Sequence, residues 1–298
     1  MLRFVHAEKA DESRARQFLS QFTNDYLPQE LSGYLERPRG GLYLALDDDR
    51  VVGTIVLEFP RTHEAYVGGL RVSPDRQKQG IGRQFVEFAM EEARRLGATI
   101  MRAVVAEGNQ VSEHLMRDDL AFHAVERWRV GTIRPLPVPA RLPDEAGPAW
   151  AVDHDRLLAF WNKYQDDLWA DLNPWVPHSL SAEDISRRFE TGGIALLPQT
   201  GAEVRGLALY RLHNRERLDI GYLRAETTEE LAQLVQYLWV EAHAWGITVA
   251  RFGLSRQAAD RLLALGGLEE TDDWQGMVFE RSLVATVPMG SGSGGSAV

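Results

Sequence analysis

Apolar positions recur with two distinct periods over the first 134 residues, and the two periods divide that stretch into strands and helices. Leu2–Val5 is a short apolar run of strand length. Residues 41–47 and 51–59 are longer ones, joined by the acidic turn Asp47-Asp48-Asp49-Arg50. Residues 64–72 form a further strand, ended by Pro74. Helical spacing covers 11–22 and 28–36, with Asp11 placed to cap the first. Phe85, Phe88, Ala89 and Leu96 recur at three- and four-residue steps, which predicts a long helix ending at Gly97. A strand over 98–105, a short helix over 110–119 and a strand over 122–134 follow. Hairpins combined with one strand–helix–strand unit predict an α+β domain. Its sheet is mixed and mainly antiparallel, flanked by helices, with one parallel pair.

The pattern then repeats. "GGLYLALDDDRVVGTIVLEF" from Gly40 is echoed by "GGIALLPQTGAEVRGLALYRL" from Gly192, so that Gly53 and Gly206 lie 153 positions apart. "VGGLRV" from Val67 is echoed at the same offset by "IGYLRA" from Ile220. Beyond it, Gly97 and Gly246 lie 149 apart, so four residues are missing from the second copy between the two marks. The expected organisation is a domain at 1–134, a linker at 135–148, a second domain at 149–285 and a disordered tail at 286–298. The linker "PLPVPARLPDEAGP" is stiffened by its prolines, and the tail is low in complexity.

Composition narrows the function. A chain of 298 residues matches two domains of ~150 each. No apolar run reaches the ~18 residues of a membrane span, and the N-terminal stretch lacks an apolar leader, so the expected location is the cytoplasm. With no cysteine, disulfides, thiolate metal sites and a cysteine nucleophile are excluded, and no metal is expected. A net charge of -10 speaks against nucleic acid or an anionic membrane as partner, and is compatible with a cationic amine.

Against that acidity, "VSPDRQKQGIGRQF" (72–85) gathers Arg76, Lys78 and Arg83 around Gly80 and Gly82 where a strand gives way to the long helix. A helix N-terminus offers unpaired N–H groups and the positive end of a dipole. Glycines let an oxyanion approach the backbone, and the basic side chains add charge. The loop is suited to a phosphate or pyrophosphate. It is not a Walker loop, because Gly82 is followed by Arg83-Gln84 rather than Lys-Ser/Thr. It is not a dinucleotide fingerprint either, which needs three glycines in an α/β repeat. The four-residue gap in the second copy spans this loop, and its counterpart, "ETTEELAQLVQYLW", lacks the glycines and the basic cluster.

The stretch "LRVSPDRQKQGIGRQF" resembles the acyl-CoA loop of the GNAT superfamily of N-acetyltransferases, whose Gln/Arg-x-x-Gly-x-Gly/Ala pattern is met by Gln77-Lys78-Gln79-Gly80-Ile81-Gly82. Leu70, Val72 and Pro74 match the family's preceding Leu-x-Val-x-Pro, and Asn109 the Asn that opens a short helix. The resemblance implies two tandem GNAT-like domains, the second without the motif, and acetyl-CoA as acyl donor. It implies that Leu70, Arg71 and Val72 line the pantetheine arm, that Gln77 through Arg83 wrap the pyrophosphate, and that Asn109 sits by the thiol end. It also implies a small-molecule or peptide amine as acceptor. Where many members carry a Glu or His base on the strand, this chain has Gly68 and Tyr66. Tyr66 and, two residues before it, Glu64 are the candidates, with His63 beside them. Where the family places a tyrosine acid there is Met116, which has no proton to give. Two readings stand: an N-acetyltransferase working by direct attack of the amine, and a non-catalytic acyl-CoA sensor or scaffold.

Overall fold

The computed structural model describes residues 1–284 apart from 24, 140–142, 172, 192, 202 and 214–215; the tail expected from 286 onward lies outside the described residues. The chain divides into two compact units, Met1–Met101 with Arg281 onward, and Arg102–Glu280.

In the first unit the chain runs β1 (Leu2–His6), α1 (Glu12–Leu19), α2 (Leu27–Leu35), β2 (Gly41–Asp47), β3 (Arg50–Glu58), β4 (Glu64–Val72) and α3 (Ile81–Arg95). Strands β1 to β4 form an antiparallel meander in chain order. One face is covered by α1 and α2, whose Phe18, Leu19, Leu27 and Leu31 pack on Leu42, Leu44 and Val56. The alternation of these strand residues fixes which face is buried. Helix α3 has its own apolar stripe, Phe85, Val86, Ala89, Met90 and Ala93, and Phe85 stacks on Phe4 with ring centroids 4.7 Å apart. Each such side chain removed from water contributes roughly 1.5–3 kcal/mol. Asp11 does not cap α1 as expected: its carboxylate accepts from the Glu8 N–H at 2.8 Å and closes the preceding turn. The β3–β4 register slips, with Thr54 opposite Arg71 but Val56 opposite Gly68, so Gly69 and Leu70 share one partner position in a bulge.

The second unit holds most of β5 (Ile100–Ala106), then α4 (Gln110–His114), β6 (His123–Ile133), β7 (Gly147–Pro148), α5 (His154–Lys163), β8 (Leu168–Trp169) and β9 (His178–Ser179). It continues with α6 (Ala182–Thr191), β10 (Ile194–Leu197), β11 (Gly206–His213), β12 (Arg217–Ala225), α7 (Thr228–Ala244), β13 (Ala250–Ser255), α8 (Arg256–Leu263) and β14 (Glu270–Ser282). Its strands lie in the order β5-β14-β6-β13-β12-β11-β10-β7. The β12–β13 pair is parallel, and β6 is antiparallel to both β13 and β14. The last strand of each sequence repeat is therefore lodged among strands of the other. The repeat itself persists in element order, since β2-β3-β4-α3-β5-α4-β6 recurs as β10-β11-β12-α7-β13-α8-β14. Even the bulge recurs, at Gly221 in β12. The expected helix over 110–119 is α4 followed by a π-helical turn at Leu115–Asp119. Of the aromatics in 160–175, Phe160 and Trp169 are fully buried in a core with Leu157, Ile185 and Leu196. In the linker, Leu136 is buried and donates its N–H to Thr248, and Gly147–Pro148 pairs with β10.

Candidate functional site

Between β4 and α3 the chain makes a short 3-10 turn at Pro74–Arg76 and then turns back on itself twice. Lys78 and Gly80 both have positive φ, at 59° and 76°, and Gly80 is the N-cap of α3 without a capping side chain. A glycine takes that conformation freely; a lysine does so at a cost. Asp75 anchors the turn. It receives two hydrogen bonds from Arg50 at 2.8 and 3.0 Å and one from the Ser73 hydroxyl at 2.5 Å, and the Arg50 guanidinium chiefly holds its carboxyl down at about 2. The Gln77 and Gln79 side chains donate to the Val72 and Asp75 carbonyls at 3.2 Å.

These bonds shape the loop without using its amides. The N–H groups of Gln77, Lys78, Gln79, Gly80, Ile81 and Gly82 have no acceptor among the described residues, and backbone bonding resumes with Gln84 donating to Gly80 at 3.1 Å. No acidic residue occupies the first turn of α3. The cations are held unequally. Arg76 is paired with Asp47, and Arg83 donates to Glu87 at 3.0 Å, while exposed Lys78 has no ion pair among the described residues. Ile81 is buried and ties the helix start to the core. The structure thus brings Leu70 through Arg83 together at one strand-to-helix junction.

The strand leading into the loop carries the expected catalytic candidates. Tyr66 is buried, and its ring lies against Gly68, with Cε1 3.0 Å from where a Cβ there would stand. Its hydroxyl is therefore near the bulge. Glu64 is 1% exposed, close to Arg61 and His63, and stands five residues before Gly69, roughly 16 Å along a strand. A second buried carboxylate, missed in the sequence, is nearer. Glu58 is directly across from Tyr66 in the β3–β4 register, paired with Arg37 and accepting from the Tyr34 hydroxyl at 3.4 Å. Burial first, and the Glu58 charge second, push the Tyr34 hydroxyl well above its ordinary value, so it stays a donor. The Arg71 side chain is committed to Asp25 at 2.8 and 2.9 Å and donates to the Leu70 carbonyl at 3.0 Å.

Asn109 lies in the second unit, where its side chain caps α4 by accepting from the Ser112 N–H at 3.2 Å. Met116 is buried in the π-helical turn. Among the described residues no cluster of histidines and carboxylates is arranged to hold a metal.

The counterpart of the loop in the repeat is built differently. Helix α7 begins at Thr227, whose hydroxyl accepts from the Glu230 N–H while the Glu230 carboxylate accepts from the Thr227 N–H. Glu229 and Glu230 add negative charge where an anion would sit. The strand pair is closed as well. The Ala170 N–H donates to the Gly221 carbonyl at 3.1 Å, and a Cβ on Gly221 would overlap the Ala170 oxygen. Pro174 seats against Gly253, 2.7 Å from a Cβ there, and Trp128 donates to its carbonyl at 2.7 Å. Between Gly221 and Gly253 about 10 Å³ remains, room for about one water.

The sequence profile of the acetyltransferase (GNAT) family matches residues 7–122. No curated protein matches the chain. Among solved structures, a GCN5-related N-acetyltransferase from Sphaerobacter thermophilus superposes with a TM-score of 0.63 at 13% identity, over 96% of this chain and 97% of that one. A GCN5-related N-acetyltransferase from Kribbella flavida gives 0.53 at 14% identity, over 95% of this chain and 72% of its own. A tandem GNAT protein from the clavulanic acid biosynthesis pathway gives 0.52 at 17% identity, over 96% and 100%. The match to the acetyltransferase (GNAT) family lies at residues 7–122, which contain the loop, and the whole chain shares the fold of these solved structures.

Proposed function

We propose that this protein transfers an acetyl group from acetyl-CoA to a primary amine by direct attack, using one donor site per chain. The observation that supports it is the run of six amides, Gln77 to Gly82, left without acceptors at the start of a 15-residue helix. A diphosphate gives such donors their acceptors, with the helix dipole and Lys78 adding attraction. Leu70 and Val72 present backbone to the pantetheine arm. In the transfer the amine nitrogen bonds to the thioester carbon, the C–S bond breaks, and coenzyme A leaves as thiolate. The amine gives up a proton, which Tyr66 relays toward a carboxylate. Glu58, across from Tyr66, is better placed for this than Glu64. Amides at the Gly69–Leu70 bulge polarise the thioester carbonyl. The acceptor is a small-molecule or peptide amine.

Titration with acetyl-CoA tests the reading. Wild-type protein melts at a higher temperature with the ligand, because binding to the native state stabilises it, and Gly82→Val removes the rise. A wild-type protein whose melting ignores acetyl-CoA sinks the proposal. The sensor or scaffold reading rests on Met116 and Gly68. Coenzyme A binding without thiol release across a panel of amines selects it.

A further inference from the structure

The second unit contains a cavity of about 190 Å³ that the acyl-donor site does not use. Its walls come from the ends of several elements. Glu107 follows β5, Glu113 is on α4, Arg127 and Trp128 are on β6, Met277 is on β14, and Arg256 opens α8. Two acids and two arginines thus line one space together with Met277.

These charges are only partly paired: Arg256 forms loose ion pairs with Glu107 and Asp260. Arg127 and Glu113 have no ion pair among the described residues. Arg256 reaches Glu107 only at 3.9 Å, beyond hydrogen-bond range, and its Nε is 3.6 Å from Asp260. A cavity meant to draw a simple cation needs no arginines, least of all in a chain of net charge -10. One meant for a simple anion needs no glutamates. A solute bearing both an ammonium and a carboxylate satisfies both pairs: the ammonium donates to Glu107 and Glu113, and the carboxylate accepts from the guanidinium forks of Arg127 and Arg256. Met277 offers contact to an apolar side chain.

We infer that this cavity is a binding site for a small zwitterion of the amino-acid class. The inference does not rest on the donor loop at residues 70–83, which belongs to the other unit.

The test uses the full chain and three probes, L-leucine, L-methionine and L-glutamine, each compared with its methyl ester and its des-amino acid by calorimetry. At least one amino acid binds, and each analogue binds about ten- to a hundredfold more weakly, the usual loss when one charged hydrogen-bond partner is removed. Glu113→Gln erases the preference for the amino acid over the des-amino acid; Arg127→Ala erases the preference over the ester. Matching each deletion on the protein with one on the ligand separates a lost contact from a damaged fold. Acetyl-CoA binding, followed in the same samples, stays as in wild type, so a failed donor site is told apart from a failed zwitterion site. Mass spectrometry after incubation with acetyl-CoA shows either an N-acetylated amino acid, which makes the site an acceptor pocket, or an unchanged one, which makes it an effector site; both uphold it. No binding by any of the three up to millimolar concentration, or binding indifferent to both variants, overturns it.

Discussion

Lys78 offers a test in which stability and binding should move in opposite directions. Its backbone is left-handed, with φ of 59°, and its side chain is exposed and without an ion pair among the described residues. A non-glycine residue in that conformation carries about 1–2 kcal/mol of strain. Lys78→Gly removes it, and the greater freedom of glycine in the unfolded chain returns roughly 0.5–1 kcal/mol. The balance is a gain of up to about 1.5 kcal/mol, or roughly 3–6 °C in a domain of this size. The same change deletes a charge facing the proposed diphosphate. Hydrogen bonds to charged groups contribute ~1.5–3 kcal/mol, and solvent exposure puts this one at the low end, so acetyl-CoA affinity falls roughly tenfold. Lys78→Ala is the control, since it keeps the strain and loses the charge. Melting curves and calorimetry at low and at high salt are the assays. Lys78→Gly should melt higher and bind worse; Lys78→Ala should bind equally badly with no gain in melting. The affinity gap to wild type should narrow as salt screens the charge. If Lys78→Gly lowers the melting temperature, or binds acetyl-CoA as wild type does, the account of the loop as a strained anion cradle is wrong.

Three further outcomes follow from the same geometry. Calorimetry should find one acetyl-CoA per chain, because α7 is capped by its own side chains and the β12–β13 groove is filled; a stoichiometry of two refutes this. Gly221→Ala drives a methyl into the Ala170 carbonyl and should cost about 2–3 kcal/mol in urea unfolding, near the upper end for overpacking. Gly68→Ala meets only the edge of the Tyr66 ring and should cost less, and equal losses would remove the distinction drawn between the two grooves. Asp75 has a folded value of about 2 against an ordinary 3.8, so its contribution is present above the ordinary value and lost as pH falls through about 2. The amide resonances of Gly80 and Gly82 should therefore shift in wild type on acidification from pH 4 to 2 and stay fixed in Asp75→Asn.

What the sequence disclosed depended on the range of the interactions involved. Strand β4 and helix α3 were readable because their burial patterns repeat over many residues, and the loop because two glycines and a proline fix its turns locally. The placing of β6 and β14 was not, since an alternating strand states which face is buried and not which neighbour it bonds. Glu58 escaped because a glutamate ending an apolar strand looks solvated; counting outward from the 59–65 connection that joins β3 to β4 would have set it opposite Tyr66. Ala170 and Pro174 carry no pattern of their own. The signal lay in Gly221 and Gly253, small residues in a strand pair where another backbone comes close. The π-helical turn at Leu115–Asp119 came from no visible cue.

The placing of the final strand bears on how this protein is made. Leu283 donates to Thr99 and accepts from Arg94, a partner 189 residues earlier, and β14 lies between β5 and β6. Strands β5 and β6 cannot gain the partner that lies between them until β14 has been made, and contacts of such long sequence separation form slowly. A fragment ending in the proline segment would leave β5 and β6 without the strand that lies between them, so severing the chain there should yield two halves that fold well only when expressed together.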